Sequence, residues 1–554
     1  TGPGAGSGTF SMNSPFVNTM NLTNTTLTPT SPFPSFNTYN IGLNNTVNYN
    51  ANVAQDIINS AVTSIAFGNL NIGGTGIKTA RQSITVQGTL TTSGGGLADN
   101  GNIITVNGNL AGTAAHTSTG AGKVLLTGGT QPHTLSRTGA VGNLELDDVQ
   151  GALVTAAFQV NGNLALKNGN FYLGASITTT LNGSISYPAP GGFLAGNLPL
   201  NSTSILNLTG TGTLGDLKFA SDYQNIGTLI MNRTATGIAN LGTDLTLNTT
   251  LTLSNGRINL GNNNLYFGPA ATSAVGTAAN HIIADAALGN GRVYKYYPTN
   301  ATTTFTYPIG ENTGSIEYSP LTITGFVPQG GNRAIGVRVT DADHPQNIAG
   351  QPNRISRFWN FNELVGTSTG YNYTSMTLNY IVGAPDNVGT LNPTNVQLNL
   401  YSNASTSWLG TLNSTGTVTT TTAIATAPIF FNELSSPFNN TDVTLRKENP
   451  TTYTWLPTSG SEDWTVPSNW NPARTNPGLN DILLFNQTGT STAYNVPTQT
   501  IGQFLVSNNT NITLQATATN ILSINGATAT INLSIASGLT LQISSSINGT
   551  LTLN

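Results

Sequence analysis

The sequence predicts an all-β chain whose main element is a right-handed parallel β-helix with about 20 residues per rung. Three observations lead there. Phe67-Gly-Asn-Leu70 recurs as Val86-Gln-Gly-Thr-Leu90 and Val106-Asn-Gly-Asn-Leu110, which sets Gly68, Gly88 and Gly108 20 residues apart. Gly142-Asn-Leu144 and Gly162-Asn-Leu164 repeat the step. A fixed period of this length marks a solenoid, in which each repeat packs mainly on its neighbours. Second, short alternating runs begin near Leu245, Leu251, Ile258 and Leu265, six or seven residues apart. Three such steps make one turn of a three-sided helix, with Leu245/Leu247 and Leu251/Leu253 inward and Thr and Asn outward. Third, only 7% of residues are charged, against roughly a quarter in an average soluble chain. Gly, Asn, Thr and Ser fill the deficit, and the scarcity of Glu and Lys disfavours helix. An antiparallel sandwich with Asn-Gly hairpins is the competing fold.

With 554 residues, several modules are expected. Hydrophobic residues at 37% and a net charge of −4 describe a chain that folds rather than one that stays disordered. The same charge, with no basic run, argues against a nucleic-acid partner. No apolar stretch reaches the roughly 18–20 residues of a membrane span. The absence of cysteine excludes disulfides, thiolate metal sites and a cysteine nucleophile. Thr1-Gly-Pro-Gly-Ala-Gly at one end and Ile547-Asn-Gly-Thr-Leu-Thr-Leu-Asn554 at the other read as cuts in a longer polypeptide.

Along the chain, residues 1–45 are rich in Pro, Asn, Thr and Ser and read as a linker or the edge of a preceding module. Residues 46–287 carry the solenoid. About 11 rungs spaced ~4.8 Å apart would stack to roughly 50 Å. Gly and Asn at the corners suit left-handed backbone, and Asn above Asn suits amide ladders. Ala54–Ile65 resembles a helix in pattern, but its β-branched content favours strand. Residues 288–447 differ in texture. Twelve of the 79 positions from Asp285 to Glu363 are charged, and runs such as Arg333–Thr340 and Ser375–Ile381 alternate with period two. An Ig-like antiparallel β-sandwich is predicted there. Residues 448–554 read as the start of a second β-helical module, with rungs at 512–514, 521–524, 531–535, 539–543 and 551–553.

Phe67-Gly-Asn-Leu-Asn-Ile-Gly-Gly-Thr-Gly-Ile-Lys-Thr79, followed by Ile84-Thr-Val-Gln-Gly-Thr-Leu90, resembles repeats of the giant surface proteins of Bacteroidetes. Phe305-Thr-Tyr-Pro-Ile-Gly310, Tyr318-Ser-Pro320, Asp343-His-Pro345 and Arg357-Phe-Trp359 resemble a β-sandwich module of those proteins. Trp455, Asp463-Trp464, Ser468-Asn-Trp-Asn-Pro472 and Asn480-Asp-Ile-Leu-Leu-Phe485 are similar to the opening of a further β-helical module there. The resemblance covers most of residues 46–554. It implies an adhesin-like protein exported by type IX secretion, displayed on the cell surface and held by outer-membrane secretion and anchoring machinery, in the manner of a gliding adhesin. The C-terminal sorting domain of such proteins has no counterpart in this sequence.

Candidate chemistry is sparse. Parallel β-helices host polysaccharide lyases and hydrolases, whose sites need paired carboxylates or cations beside acidic clusters. Glu145, Asp147 and Asp148 form the one acidic cluster of the first solenoid, and a solvated turn is the simpler reading. Asp341 and Asp343, in Asp341-Ala-Asp-His344, are weak candidates for a calcium site, since carboxylates suit that hard cation and no EF-hand spacing is present. Trp455, Trp464 and Trp470 are weak candidates for a glycan-stacking platform. Spaced six to nine residues apart at a module start, they read more simply as a cap over an open solenoid end. Asn-x-Ser/Thr sequons abound, as at Asn207 and Asn248.

The expected function is therefore a non-catalytic, extracellular, cell-surface stalk that attaches to polysaccharide or to abiotic surfaces through many weak polar contacts. A self-associating filament or sheath subunit is one alternative, and a β-helical polysaccharide-active enzyme is the other.

Overall fold

In the computed structural model the chain is nearly all-β, with 55% strand, and forms a β-solenoid of about 18 turns with some antiparallel sheets. The structure describes residues 6–554 apart from 14–15, 24–32, 34–35, 59–64, 348–353, 366–369, 382–385, 389–396, 412–421, 427–439, 447–450, 479–480, 525–532, 546–550 and 554, and the single positions 199, 201, 235, 405 and 476. Two compact units result. One comprises residues 1–298 with 305–320 and 334–338, and the other 299–304 and 321–333 with everything from 339 onward.

The first unit is a stack of parallel strands. Between residues 46 and 195 its turns have three faces. The first face contains Thr46–Tyr49, Asn69–Ile72, Leu90–Thr92, Leu110–Gly112 and His133–Arg137. Gln55–Asp56, Lys78–Thr79, Leu97–Ala98 and His116–Thr117 make the short second face, and the third runs from Ala66–Phe67 through Ile84–Val86 to Ser184–Ser186. Register is kept from rung to rung: Leu70, Leu90, Leu110 and Leu135 are direct partners in turn. All four are 0% exposed. Each side chain packs on the one above and the one below, so truncating one to Ala leaves a cavity between two rungs and costs about 2–5 kcal/mol. On the third face Ile84, Ile104, Val124, Leu144 and Leu164 form the corresponding column.

The 20-residue glycine step has a physical cause other than the expected one. None of Gly68, Gly88, Gly108, Gly142 or Gly162 has a positive φ. A Cβ on Gly108 would instead lie 2.2 Å from the Gly88 carbonyl oxygen, and one on Gly162 would lie 2.2 Å from Asn143 Oδ1. These corners are glycine because successive rungs touch there. The Asn that follows ties the rungs together: Asn69 Oδ1 accepts the Thr89 N–H at 2.8 Å, and Asn143 Oδ1 accepts the Asn163 N–H at 2.9 Å. Asn–Asn pairs occur as well, as from Asn48 to Asn21 at 2.8 Å and from Asn255 to Asn232 at 2.9 Å.

Three boundaries differ from the sequence expectation. Residues 1–45 contain strands that belong to the stack: Thr19–Leu22 pairs in parallel with Thr46–Tyr49, and Gly6–Met12 with Phe36–Ile41. Their Thr- and Asn-rich composition is what this solenoid places on its outside, so it does not separate linker from rung. The runs near Leu245 and Leu251 are one strand, Leu245–Asn255, bent where Asn248 and Thr249 interrupt its register with Asn225–Arg233. Parallel stacking also continues past 288, since Val293–Tyr297 pairs with Leu265–Phe267 and Ile309–Glu311 with Ile282–Ile283. The rise in charge that suggested a new module marks residues buried in these last turns, Asp285, Lys295 and Glu311 among them. Of Ala54–Ile65, Gln55–Asp56 is strand, and 59–64 lie outside the described residues.

The second unit holds antiparallel sheets and a second solenoid. Leu321–Gln329 pairs antiparallel with Ser375–Asn379, which pairs with Thr422–Thr426. Arg354–Val365 pairs antiparallel with Thr441–Arg446, and the latter with Gln397–Ser402. From Thr452 the pairing is again mostly parallel and three-faced. Thr452–Trp455, Ile482–Phe485 and Gln503–Val506 stack on one face, and Ser459–Asp463, Gly489–Tyr494, Thr510–Ala516 and Thr540–Ser545 on another. Gln499–Ile501, Asn520–Ile524 and Leu551–Leu553 make the third. Among the described residues no helix is long and apolar enough to cross a membrane.

Candidate functional site

Asp341 and Asp343 follow the strand Arg333–Thr340, and arginines of the next strand take both carboxylates. Arg354 binds Asp343 through Nε at 2.9 Å and Nη2 at 2.7 Å, and Asn347 adds a bond at 2.7 Å. Burial raises the Asp343 carboxyl, but these hydrogen bonds outweigh it and hold the group below the ordinary carboxylate range. Asp341 accepts a bond from Arg357 Nη2 at 3.3 Å. A guanidinium stands beside each carboxylate, and these ion pairs tie the loop to the next strand. His344 is buried too, with Nε2 3.2 Å from Asp442 Oδ2 and its ring edge-on to Phe358 and Tyr401.

Trp455, Trp464 and Trp470 converge at the start of the second solenoid. Trp470 lies 4.9 Å from Trp455 and 5.0 Å from Trp464, both nearly perpendicular, and Phe485 packs against all three. They are 1%, 2% and 2% exposed. No indole face is open for a sugar to stack on, which overturns the glycan-platform reading of these residues. Their position explains the burial. Trp470–Asn471 pairs antiparallel with Thr452–Trp455 and so covers the outer edge of the first rung. Arg474 lies 5.6 Å from the centre of the Trp470 ring and donates from Nε to Asp481 at 2.9 Å. Burial raises the Asp481 carboxyl despite that neighbour.

The acidic cluster of the first solenoid is dispersed in the same way. Glu145 binds Lys123 at 2.6 Å and Asp147 binds Lys167 at 2.8 Å on the outside of the third face. Asp148 turns inward to His133 at 3.0 Å and accepts the Gly129 and Gln150 N–H groups.

A concavity appears instead on the outside of the first face, where a cleft of about 390 Å³ crosses three rungs. Thr46 and Asn48 line it from one strand, Asn69 and Asn71 from the next, and Thr91 and Ser93 from the third. Asn21, Asn48, Asn71 and Thr91 stand in one column by register. Asn69 is fixed at both ends of its amide, donating to the Leu43 carbonyl at 2.8 Å and accepting from Thr89. Ser93 Oγ donates to Asn71 Oδ1 at 3.3 Å. Among the described residues the hydroxyls of Thr46 and Thr91 and the amide nitrogen of Asn71 have no partner in the chain, and they face the cleft. The cleft is a neutral surface of donors and acceptors. No motif in the sequence marks it, because it joins residues 20 or more positions apart. The signal was the outward Thr and Asn of the alternating strands, column upon column.

No protein-family model, no curated protein and no solved structure matches this chain.

Proposed function

We propose that this chain is a non-catalytic, extracellular segment of a cell-surface adhesin, a stalk that also attaches to neutral polysaccharide or to other uncharged surfaces. The observation that carries the reading is the outside of the first face. The strands Thr19–Leu22, Thr46–Tyr49, Asn69–Ile72, Leu90–Thr92 and Leu110–Gly112 contain no charged residue, and the first four present Asn and Thr outward. Single contacts of this kind are weak, and repetition converts them into useful retention. The stacked, in-register strands suit a load-bearing role, because every rung is hydrogen-bonded to the next. Export by the type IX route, outer-membrane anchoring and a part in gliding belong to the same proposal and rest on the resemblance of the repeats.

Beads coated with the full chain test it under flow. Retention on films of neutral polysaccharide is expected to rise steeply with coating density and to change little between about 0.05 and 0.5 M salt, where charge-driven contacts would be screened. Retention no better than that of bare beads overturns the adhesive reading. Ordered polymers in electron micrographs would favour a filament, and release of reducing sugar would favour an enzyme.

A further inference from the structure

We propose that the cleft on the first face is a binding groove for an extended, neutral polysaccharide lying along the solenoid axis, one sugar residue to each rung. The inference rests on the adhesive reading and gives it a site and a ligand class. Three features of the groove select this occupant. The first is charge. Neither the cleft nor the neighbouring strands from residue 19 to 113 of that face carry a cation to balance a uronate, sulfate or phosphate, or an acid to attract a basic polymer. The second is spacing. Rungs repeat every ~4.8 Å, about the length of one pyranose ring along a stretched glycan, so Asn48, Asn71 and Thr91 meet successive sugars in equivalent positions. The third is hydrogen-bonding character. Sugar hydroxyls both donate and accept, and the groove supplies both. The Thr46 and Thr91 hydroxyls do either, the Asn71 amide nitrogen donates, and Asn48 Oδ1 accepts while its nitrogen is held by Asn21. Asn69, tied at both ends, gives a wall that needs no ordering on binding.

Co-sedimentation of the full chain with insoluble neutral glycans (cellulose, chitin and mannan), with polygalacturonate gel as the acidic counterpart, tests the groove. The double variant Asn71→Leu/Thr91→Val keeps side-chain volume and removes the central polar groups. The wild-type chain is expected to sediment with at least one neutral glycan and not with polygalacturonate. The double variant should lose about thirtyfold in affinity, as for two hydrogen bonds at roughly 1 kcal/mol each. Lys167→Gln, on the outside of the third face, should bind as wild type does. If the double variant binds as well as wild type, or polygalacturonate competes equally, the groove is wrong while adhesion stands. If the wild-type chain binds no neutral glycan, the groove is wrong, and the bead assay on other surfaces decides adhesion separately. Should circular dichroism show the double variant unfolded, Thr91→Val alone is held to a loss of about fivefold.

Discussion

The two units bury cations in opposite ways. In the first, Lys78, Arg137, Arg233 and Lys295 are almost completely enclosed, at 0%, 0%, 1% and 2% exposure, and backbone oxygens hold all of them. Lys78 Nζ donates to the carbonyls of Ala51, Val53 and Gly76 at 2.7–3.0 Å, and Lys295 Nζ to those of Gly268, Pro269 and Ala271 at 2.7–2.8 Å. Arg137 reaches the carbonyls of Ala114, Gly139 and Ala140, and Arg233 those of Thr209, Thr211 and Gly212. In the antiparallel sheets of the second unit the buried arginines meet acids: Arg333 with Glu363, Arg354 with Asp343, and Arg357 with Asp386. The difference follows from the backbone. A solenoid chain leaves its ladder at every corner, and the carbonyls there need donors. One long cation supplies several at once. An antiparallel ladder pairs its carbonyls with the next strand, so a buried guanidinium must bring a carboxylate with it.

The contrast is sharpest at Arg357. Arg357 and Asp386 are both fully buried, joined at 2.9 and 3.1 Å, and Asp386 also accepts the Ile381 N–H. Arg357→Met strands a carboxylate inside the sheet and is expected to cost about 3–5 kcal/mol in urea unfolding of the second unit. Adding Asp386→Asn to that variant should recover part of the loss. A cost below about 1 kcal/mol for the single change would show that the pair is not what satisfies this core.

How much of this could be read from the sequence follows the same division. Repetition made the solenoid legible: the Gly68, Gly88 and Gly108 step, the alternation around Leu245, and the late rungs, which appear as Thr510–Ala516, Asn520–Ile524 and Thr540–Ser545. Where a residue's partner is backbone, the sequence is mute. Nothing near Lys78 announces a carbonyl cage, because any residue can supply a carbonyl. The misplaced boundary near 288 arose from the same blindness, since Asp285, Lys295 and Glu311 looked like the surface of a new module. The arginine partners of Asp343 and Asp341 were equally hidden, since they lie 11 and 16 residues away on another strand. The cleft needed cross-rung register, which spacing alone approximates only to within a few residues.

Acid should separate the units next. His281 is completely buried, with Nδ1 3.0 Å from the Thr277 carbonyl. Burial, assisted by Arg257, holds its imidazole down to about 4, against 6.5 for the free group. The unfolded chain therefore takes up a proton between pH 6.5 and 4 that the folded chain refuses. Stability of the first unit falls across that window, by on the order of 3 kcal/mol from this residue. His116, lowered by burial beyond what Asp99 restores, acts in the same direction. In the second unit Asp343 and Asp442 lie below the ordinary carboxylate value, so their contribution persists above it and fades only at lower pH. Glu363, raised by burial, runs the other way. Hydrogen exchange at pH 7 and pH 4.5 should show protection lost first in the first unit, and His281→Gln should flatten its pH dependence. Equal loss in both units would refute the ordering.

The smallest effect is expected where the backbone does the holding. Lys78→Met removes the donor from three carbonyls but leaves no charge behind. The deleted ammonium was itself costly to bury, since burial lowers its pKa. Orphaned carbonyls cost about 1–3 kcal/mol, and the relief of desolvation offsets part of that, so the net loss should lie near the lower end of this range. Methionine keeps the length of the stem and fills the same corner, which isolates the polar contribution from packing. The measurement is the shift in urea midpoint of the first unit, set beside that of Arg357→Met in the second. If Lys78→Met proves as damaging as Arg357→Met, the carbonyl cage is a strong ion site in its own right, and a solenoid corner binds a cation as tightly as an acid does.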